Sequence, residues 1–388
     1  MVIGAGYGGA TAAKTLRLQD ASIDVVLVER ESGFVSCPLS NLVVGGSRSI
    51  GEISRGYDGL RRHGVQVVRD DAVAIDAEKK RVRLARGGDV GYDRLIVSPG
   101  IDFLVERIEG YAAAMQSERV LHAWKAGAQT LALRRQLEAM PDGGVFLIAL
   151  PETPFRCPPA PYERACQVAH YFRQAKPRAK VLLLDANPDL ASEGPLFRRA
   201  WDELYKGIID YQASANVIGV DAAAMSARTE FDTFKADVLN VIPPQRAADI
   251  ARQAGLITTN NRWCDVDWLT LESKQVAGVH VLGDATLSAA AMPKSGNMAN
   301  SQAKVCAAAV AALLNGRAPD AEPSMNNSCY SFVSDREAVH LASVHQWAAA
   351  RRTMLPVKGA GGISAARSEQ EGADAWEWAR NIWADMFD

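Results

Sequence analysis

Cysteine thiols can act as nucleophiles, redox groups or metal ligands, so the cysteines are the first residues to place. Six occur in 388 residues, and none stands in a CxxC or CxxCH spacing: Cys37, Cys157, Cys166, Cys264, Cys306 and Cys329. This scatter argues against a zinc site and against a c-type haem attached to this chain. The default role of each cysteine in a protein of this size is that of a small buried hydrophobe.

Cys157 has local support for a redox role. It lies in the stretch 155–166 (FRCPPAPYERAC), just before a predicted helix that begins near Pro161. A helix N-terminus favours the thiolate form of cysteine, which makes Cys157 a candidate redox thiol; a buried inert cysteine is the alternative. Glu163 falls in the first turn of the same helix. It is a candidate general acid or base, although the helix dipole favours a carboxylate there in any case.

A second group of residues has the spacing of a dinucleotide site. Gly4, Gly6 and Gly9 form G-x-G-x-x-G after a hydrophobic strand and before an alanine-rich helix. The first glycine of such a motif makes the turn, the second admits a pyrophosphate and the third packs the helix on the strand. The second predicted strand ends at Glu29, where a carboxylate can bind ribose hydroxyls. The sequence therefore predicts an ADP-containing cofactor here; a glycine turn that packs without ligand is the alternative.

The elements that must position these residues alternate along the chain. Short hydrophobic runs predict strands, and helical patterns lie between them, which indicates an α/β architecture with parallel strands. A segment rich in proline, asparagine and acidic residues, 320–327, is typical of a linker into a separate C-terminal region. The predicted strands are Met1 to Gly4, Asp24 to Glu29, Gln66 to Arg69, Arg94 to Ser98, Val145 to Leu150, Lys180 to Asp185, Val238 to Val241 and Gly278 to Leu282.

Composition limits the classes of partner. The 43 basic and 45 acidic residues nearly cancel, so no polyanionic partner such as nucleic acid is indicated. No run approaches the roughly 20 apolar residues of a membrane span. With 48% apolar residues the chain has the composition of a soluble globular protein, and small molecules or other proteins are the expected partners.

The turn after Val145 to Leu150 lacks the glycines of a second nucleotide site. Between residues 151 and 161 it contains five prolines. Proline fixes φ near about −65° and has no N–H, so we expect this loop neither to adopt the positive φ of a glycine turn nor to offer amides to a phosphate. An NAD(P)H site is therefore not expected in the middle of the chain.

Stretches along the whole chain resemble segments of known flavoproteins. Two shorter motifs, 92–100 (YDRLIVSPG) and 278–285 (GVHVLGDA), resemble the strand-to-PG turn and the GDA segment of flavoproteins with two dinucleotide-binding domains. The resemblance implies that the first site binds FAD rather than NAD. Six longer stretches carry a more specific resemblance: 34–46 (FVSCPLSNLVVGG), 155–171 (FRCPPAPYERACQVAHY), 240–247 (NVIPPQRA), 292–304 (MPKSGNMANSQAK), 326–331 (NNSCYS) and 376–383 (WEWARNIW). Together they resemble one family nearly end to end, the flavoprotein subunit of flavocytochrome c sulfide dehydrogenase.

The resemblance also implies roles for individual residues. It implies that FAD is attached covalently through its 8α-methyl group to Cys37, and that Cys157 and Cys329 form a disulfide near the flavin. Cys166 is not required by the family pattern and is interpreted as core; a Cys157–Cys166 pair would remove Cys329 from its role. The residues that we expect to bind the cofactor are Gly4, Gly6, Gly9, Glu29, Arg30, Cys37, Asn41, Pro99, Gly100, Asp284, Lys294 and Trp378.

Two of these residues have alternatives. Lys294 is a candidate for stabilising anionic reduced flavin from the N-terminal end of a helix, and a surface lysine is the alternative. Trp378 resembles an aromatic residue of the C-terminal region that covers the flavin, and ordinary packing is the alternative.

The implied fold has two Rossmann-like, glutathione-reductase-like domains and a C-terminal α+β domain that covers the flavin. The expected division is FAD-binding residues 1–115 and 237–319, a second Rossmann-like domain without nucleotide, 116–236, and the C-terminal domain, 320–388. The implied activity is sulfide oxidation through Cys157, Cys329 and FAD. Electrons then pass to haem c on a partner cytochrome subunit, and a sulfide:quinone oxidoreductase is the main alternative.

The resemblance implies a periplasmic location. The chain opens directly in its first predicted strand, a start that is compatible with removal of an export segment.

Overall fold

A computed structural model describes all residues, 1–388. The ten helices are α1 Tyr7–Gln19, α2 Ser40–Gly45, α3 Asp58–Arg62, α4 Tyr111–Gln116, α5 Ala128–Ala139, α6 Ala160–Ala175, α7 Gly194–Leu204, α8 Asp249–Gln253, α9 Gly296–Leu314 and α10 Glu369–Phe387. The first strands are β1 Val2–Ile3, β2 Val25–Glu29, β3 Phe34–Val35, β4 Ser54–Arg55, β5 Val65–Arg69, β6 Ala72–Asp76, β7 Arg81–Leu84, β8 Gly88–Gly91, β9 Leu95–Val97, β10 Ile101–Phe103, β11 Val120–Leu121 and β12 Val145–Leu150. The remaining strands are β13 Lys180–Asp185, β14 Ile209–Gln212, β15 Gly219–Asp221, β16 Ser226–Arg228, β17 Thr233–Lys235, β18 Val238–Val241, β19 Gln245–Ala247, β20 Val279–Val281, β21 Ser324–Phe332, β22 Ala338–Ala348 and β23 Thr353–Ile363.

The first sheet is parallel throughout, in the order β20-β9-β1-β2-β5. Its central strands are buried on both faces, as expected for an α/β sheet covered by helices. Helices α1 and α9 pack against each other beside it. The late strand β20 returns to pair with β9, so residues far apart in sequence meet at the carboxyl edge of one sheet.

The second sheet is also parallel, in the order β11-β18-β12-β13-β14. All eight predicted strands are present, and three have the predicted bounds: β12, β13 and β18. The predicted domain boundary at residue 237 is wrong, because β18 belongs to this second sheet. The chain leaves the second sheet only at β19, which pairs antiparallel with β10, and returns to the first sheet at β20.

The C-terminal region is a three-stranded antiparallel sheet, β21-β22-β23, followed by the long helix α10. The predicted linker 320–327 is therefore only partly correct, since its residues from Ser324 onwards belong to β21. The strand was not recognised from the sequence because polar side chains alternate along it. They do so because only one face of the strand packs on α9 and the core. Helix α10 packs against α1 and against the C-terminal sheet, which places the C-terminus over the first domain.

In a dinucleotide-binding unit the cofactor lies at the carboxyl ends of the parallel strands. In the second sheet this nucleotide edge is filled by side chains of the protein. Asp185 ends β13, where an acid binds ribose in a dinucleotide-binding unit, and it is fully buried here. Its Oδ2 accepts hydrogen bonds from the Tyr162 hydroxyl at 2.8 Å and the Tyr211 hydroxyl at 3.1 Å. Its Oδ1 accepts from the backbone and side-chain amides of Asn187. The carboxylate thus serves the packing of α6 against β13.

Replacing Asp185 by alanine leaves these buried donors without a partner. We expect D185A to lower the free energy of unfolding by about 2–3 kcal/mol, measured by urea denaturation. The matched control is Asp232→Ala, because Asp232 is exposed and its carboxylate has no hydrogen-bond partner. A D185A protein as stable as D232A would contradict the packing role.

Candidate active site

The structure brings Cys157 and Cys329 together. Cys157 lies in the turn between β12 and α6, and Cys329 lies on β21, in the C-terminal sheet. The two thiols are hydrogen-bonded to each other, and this bond together with burial raises the pKa of Cys329 well above its ordinary value. Both sulfurs are free thiols in the structure, so their disulfide stays a prediction.

The proline-rich turn holds Cys157 in a left-handed conformation, with φ 56°. The prediction that this loop has no positive φ is therefore wrong: the bend between strand and helix still needs a left-handed residue, and the cysteine supplies it. Two backbone hydrogen bonds fix it, from Cys157 N to Lys294 O at 2.8 Å and from Ala160 N to Cys157 O at 3.0 Å. Helix α6 begins at Ala160, one residue earlier than predicted.

The amides of this turn are committed to the protein. Thr153 N donates to Asn187 Oδ1, Arg156 N donates to Gln245 Oε1, and Cys157 N donates to Lys294 O. These amides are the donors that a phosphate would need in the middle domain. These three amides are therefore not free to bind a phosphate, and the absence of an NAD(P)H site stays a prediction.

Glu163 is buried on α6 between two hydrogen-bond donors. Its Oε2 accepts from Asn41 Nδ2 at 2.6 Å, and its Oε1 accepts from the backbone N–H of Phe332 at 2.8 Å. Burial raises the pKa of this carboxyl to about 7, although both hydrogen bonds and the charge of Arg164 act in the opposite direction. With this pKa, Glu163 gains or loses a proton near neutral pH. The residue that it binds, Phe332, is three residues after Cys329 on β21.

Asn41 supports Glu163 rather than presenting its amide to a cofactor. Its Nδ2 also donates to Ala160 O at 3.0 Å, and its Oδ1 accepts from Arg164 Nε at 2.9 Å. Both amide hydrogens are therefore used inside the protein. The structure therefore places this predicted cofactor-binding residue against Glu163 and the beginning of α6.

Cys37 is half-buried in the turn between β3 and α2, and its Sγ accepts a hydrogen bond from Ala126 N at 3.5 Å. Tyr7 and Arg164 each lie close enough to interact electrostatically with both Cys37 and Cys157. Tyr7 also bonds Ser36 Oγ at 2.6 Å, next to Cys37 in the chain. Cys37 and Cys157 thus border one region, at the junction of the first two domains.

The glycine motif forms the expected cradle. Gly4 has φ 89° and Gly6 stands before α1 with no atom within 4 Å of the position that a Cβ would occupy. Gly9 lies against the carbonyl of Gly4, so a side chain there would collide with backbone. Glu29 Oε2 accepts from Ala5 N at 2.7 Å, at the end of β2. This open space at a helix N-terminus fits a pyrophosphate.

Two other predicted cofactor residues differ in their placement. Pro99 and Gly100 follow β9 and lie beside the cradle, and Gly100 has φ 65°. Arg30, in contrast, has a side chain that is 67% exposed and pairs with Asp71 at 2.9 Å. The structure therefore brings the PG turn, but not the guanidinium of Arg30, to the interior of the site.

Asp284 has the buried unpaired oxygen that a bound cofactor would satisfy. Its Oδ1 has no hydrogen-bond partner, and its Oδ2 lies 3.9 Å from Arg156 Nε. Burial raises its pKa, against the charges of Arg156 and Lys294. Gln245 Nε2 is a second buried group without a partner. Such orphaned polar atoms are rare in folded proteins, and they fit the polyol chain of a flavin dinucleotide.

Lys294 is not the surface lysine of the alternative interpretation. Its side chain is buried, its Nζ donates to the carbonyls of Asp284 and Thr286, and it lies 3.8 Å from the centroid of the Trp263 ring. Burial lowers its pKa to about 7. The ammonium is thus held beside Asp284, and its effect on a flavin stays a prediction.

The C-terminal helix contributes an aromatic residue. Trp378 Nε1 donates to Asn297 Oδ1 at 2.9 Å, and its ring lies 6.3 Å from that of Tyr330, the neighbour of Cys329. Cys166 lies in the core of the second domain, where it is fully buried and accepts a hydrogen bond from Trp201 Nε1 at 3.2 Å.

Two functional candidates were missed by the sequence interpretation. Arg156 precedes Cys157, so its position was a usable signal for a charge beside Asp284. Glu193 lies in the loop before α7, in no recognisable motif, yet it is buried and its charge acts on Cys329. Only the folded chain reveals it, since β21 is more than a hundred residues further along.

No helix combines the length and hydropathy needed to cross a bilayer. No group of three or more histidine, cysteine and acidic residues has the arrangement of a metal site.

Family models match most of the chain in three parts. Residues 1–138 match "Pyridine nucleotide-disulphide oxidoreductase", and residues 130–243 match "Sulfide dehydrogenase [flavocytochrome c] flavoprotein chain, central". Residues 321–387 match "Flavocytochrome c sulphide dehydrogenase, flavin-binding". A flavoprotein chain of this enzyme from Chlorobaculum thiosulfatiphilum is 56% identical over 43 residues, which are 11% of this chain and 90% of that sequence.

Other similar proteins are sulfide:quinone oxidoreductases. The mitochondrial enzyme of Mus musculus is 25% identical over 310 residues, 74% of this chain and 65% of that protein, and the Dictyostelium discoideum enzyme is 24% identical over 294 residues, 73% and 64%. The chain therefore spans slightly less than two thirds of the length of these relatives. The solved structure of the Aquifex aeolicus enzyme has a TM-score of 0.80 at 16% identity and covers 99% of this chain and 90% of its own.

This structural similarity establishes the fold, and the three family models together match residues 1–243 and 321–387. The chain belongs to the flavocytochrome c sulfide dehydrogenase flavoprotein family, within the FAD-dependent pyridine nucleotide-disulfide oxidoreductases.

Proposed function

We propose that this chain is the flavoprotein subunit of a sulfide dehydrogenase, which oxidises sulfide with a Cys157–Cys329 disulfide and FAD. The observation that carries the proposal is the contact between these two thiols, 172 residues apart, at the edge of the flavin cradle. The rest of the site agrees with it. Cys37 lies at the same junction, and the middle domain has filled its nucleotide edge with Tyr162 and Asn187.

The chemistry of the pair is thiol–disulfide exchange. Hydrosulfide attacks one sulfur of the disulfide, so that an S–S bond forms to the incoming sulfur and the Cys157–Cys329 bond breaks. One cysteine then carries a persulfide and the other is released as a thiol. The carboxyls of Glu163 and Glu193 adjoin this pair and hold protons near neutral pH.

The residues present fit FAD. Gly4, Gly6 and Gly9 would receive its pyrophosphate, Asp284 its ribityl chain, and Cys37 its 8α-methyl group in a covalent bond. When bound, FAD supplies the acceptor for an electron pair and releases electrons one at a time. The chain's own contribution is to hold the two cysteines at the junction of the cradle and the C-terminal sheet.

We further propose that the electrons pass to haem c on a partner cytochrome, as the family name suggests, and that this complex lies in the periplasm. A quinone is the alternative acceptor, and the similarity to sulfide:quinone oxidoreductases favours it. Against it stand Glu369 and Glu371 in the first turn of α10, because acidic residues oppose the approach of this helix to anionic lipid.

Anaerobic titration of the FAD-loaded protein tests the reaction class. We expect stoichiometric sulfide to bleach the flavin absorbance and NADH to leave it unchanged, because Asp185 and the turn amides are unavailable to a nicotinamide dinucleotide. Offering the sulfide-reduced protein a c-type cytochrome or a short-chain quinone then identifies the acceptor. Rapid bleaching by NADH alone would sink the proposal.

Replacement of Cys329 by serine tests the disulfide. We expect C329S to lose sulfide-dependent cytochrome reduction by at least about 100-fold, because no disulfide is left for hydrosulfide to attack. Cys306→Ala is the control, since Cys306 is buried in the core on α9. Full activity in C329S would transfer the role to another cysteine, with Cys166 the first to examine.

Acid precipitation tests the covalent link. We expect the yellow colour to stay with the wild-type pellet and to appear in the supernatant for Cys37→Ser, measured as flavin absorbance of the two fractions. Cys264→Ser serves as the control, because Cys264 is buried in the core of the first domain. Free FAD in the wild-type supernatant would remove Cys37 from this role.

A further inference from the structure

We propose that Glu193 donates a proton to the sulfur of Cys329 when hydrosulfide opens the disulfide, so that the persulfide forms on Cys157. The inference rests on the proposed function and deepens it, because it names the leaving sulfur and its acid.

The carboxyl of Glu193 is buried and has a hydrogen-bond partner for only one of its two oxygens. It is 5% exposed, in a left-handed backbone conformation with φ 52°, immediately before α7. Its Oε2 accepts a hydrogen bond from Ser331 Oγ at 3.4 Å, and its Oε1 is buried without any partner. A buried oxygen without a donor is costly for a carboxylate and far less so for a protonated carboxyl.

Ser331 connects this carboxyl to the cysteine. Ser331 and Cys329 are two residues apart on β21, so their side chains lie on the same face of the strand. The backbone N–H of the next residue, Phe332, binds Glu163. The segment 329–332 therefore lies against two carboxyls, one on α6 and one before α7, and the charges of both reach Cys329.

The two carboxyls have different surroundings. Glu163 faces two donors, Asn41 and Phe332 N, and the cation Arg164, which together favour its ionised form. Glu193 faces only hydroxyls, those of Ser331 and Ser192, and the charge of Glu163. Burial raises the pKa of Glu193 to about 8, above that of Glu163 at about 7. Of the two carboxyls, Glu193 is therefore the one whose surroundings favour the protonated form, because its Oε1 has no donor and no cation adjoins it.

Cys329 needs this proton because it is a poor leaving group as a thiolate. Its pKa is raised by the hydrogen bond to Cys157 and by burial, and exchange is slower the higher the pKa of the departing thiol. Protonation during departure removes that penalty. The step balances: hydrosulfide and the disulfide give a Cys157 persulfide and a Cys329 thiol, while Glu193 becomes a carboxylate.

Stopped-flow reduction of the FAD-loaded protein by sulfide, from pH 6 to pH 9, tests the donor. We expect Glu193→Gln to bleach the flavin at least about tenfold more slowly at pH 7. We also expect the wild-type rate, corrected for hydrosulfide concentration, to fall above about pH 8 as Glu193 ionises, and this fall to be absent in E193Q. Glu193→Asp should recover part of the rate.

The control is Glu118→Gln. Glu118 has the same left-handed conformation, φ 55°, but is exposed and remote from the cysteines. E118Q should keep the wild-type rate and pH profile. An E193Q protein with the wild-type rate and profile would overturn the proposal.

A second measurement does not depend on sulfide. In a Cys157→Ser background, alkylation of Cys329 followed by mass spectrometry against pH reports the pKa of its thiol. We expect E193Q to lower this pKa, since a neighbouring negative charge has been removed, and E118Q to leave it unchanged. An unchanged thiol pKa in E193Q would contradict the proposal. Wild-type protein that sulfide fails to bleach would count against the proposed function, and the alkylation series would still decide on Glu193.

Discussion

The carboxyl of Glu163 is held by donors from the first and the last parts of the chain. Asn41 comes from α2 in the flavin domain, Glu163 from α6 in the second domain, and the N–H of Phe332 from the C-terminal sheet. A buried carboxyl without donors costs several kcal/mol, so the three segments are stable in this position only together. Cys157 lies six residues before Glu163 and Cys329 three before Phe332. The same hydrogen bonds that join the domains therefore set the separation of the two thiols.

The neighbouring Arg164 extends this junction. It donates to Asn41, to the carbonyls of His122 and Ala123, and to Asn240 on β18. A fully buried guanidinium needs such a complete set of acceptors, since it cannot lose its proton. The second Rossmann unit thus keeps its parallel sheet as a rigid support, while its nucleotide edge holds Asp185 among tyrosines and its strand-to-helix turn presents a thiol.

Much of the fold was predictable because hydrophobic runs mark buried parallel strands. All eight predicted strands exist, and the glycine cradle and the PG turn lie where their spacing placed them. The C-terminal sheet was not predictable, because the alternation in β21 of polar and buried residues resembles a linker. Nor could spacing reveal that Asn41 serves Glu163, that Cys157 takes a positive φ, or that Glu193 adjoins Cys329. These features depend on contacts between distant segments, which no local pattern contains.

The distance in sequence between Cys157 and Cys329 has a consequence for stability during turnover. A disulfide that closes a loop of this size reduces the entropy of the unfolded chain by an amount worth about 5 kcal/mol. In the proposed cycle this crosslink is opened and remade each time sulfide is oxidised, so the protein alternates between a tethered and an untethered form. The hydrogen bonds of Glu163 and Arg164 persist in both forms. These non-covalent contacts keep the two sulfurs close together while the bond between them is absent.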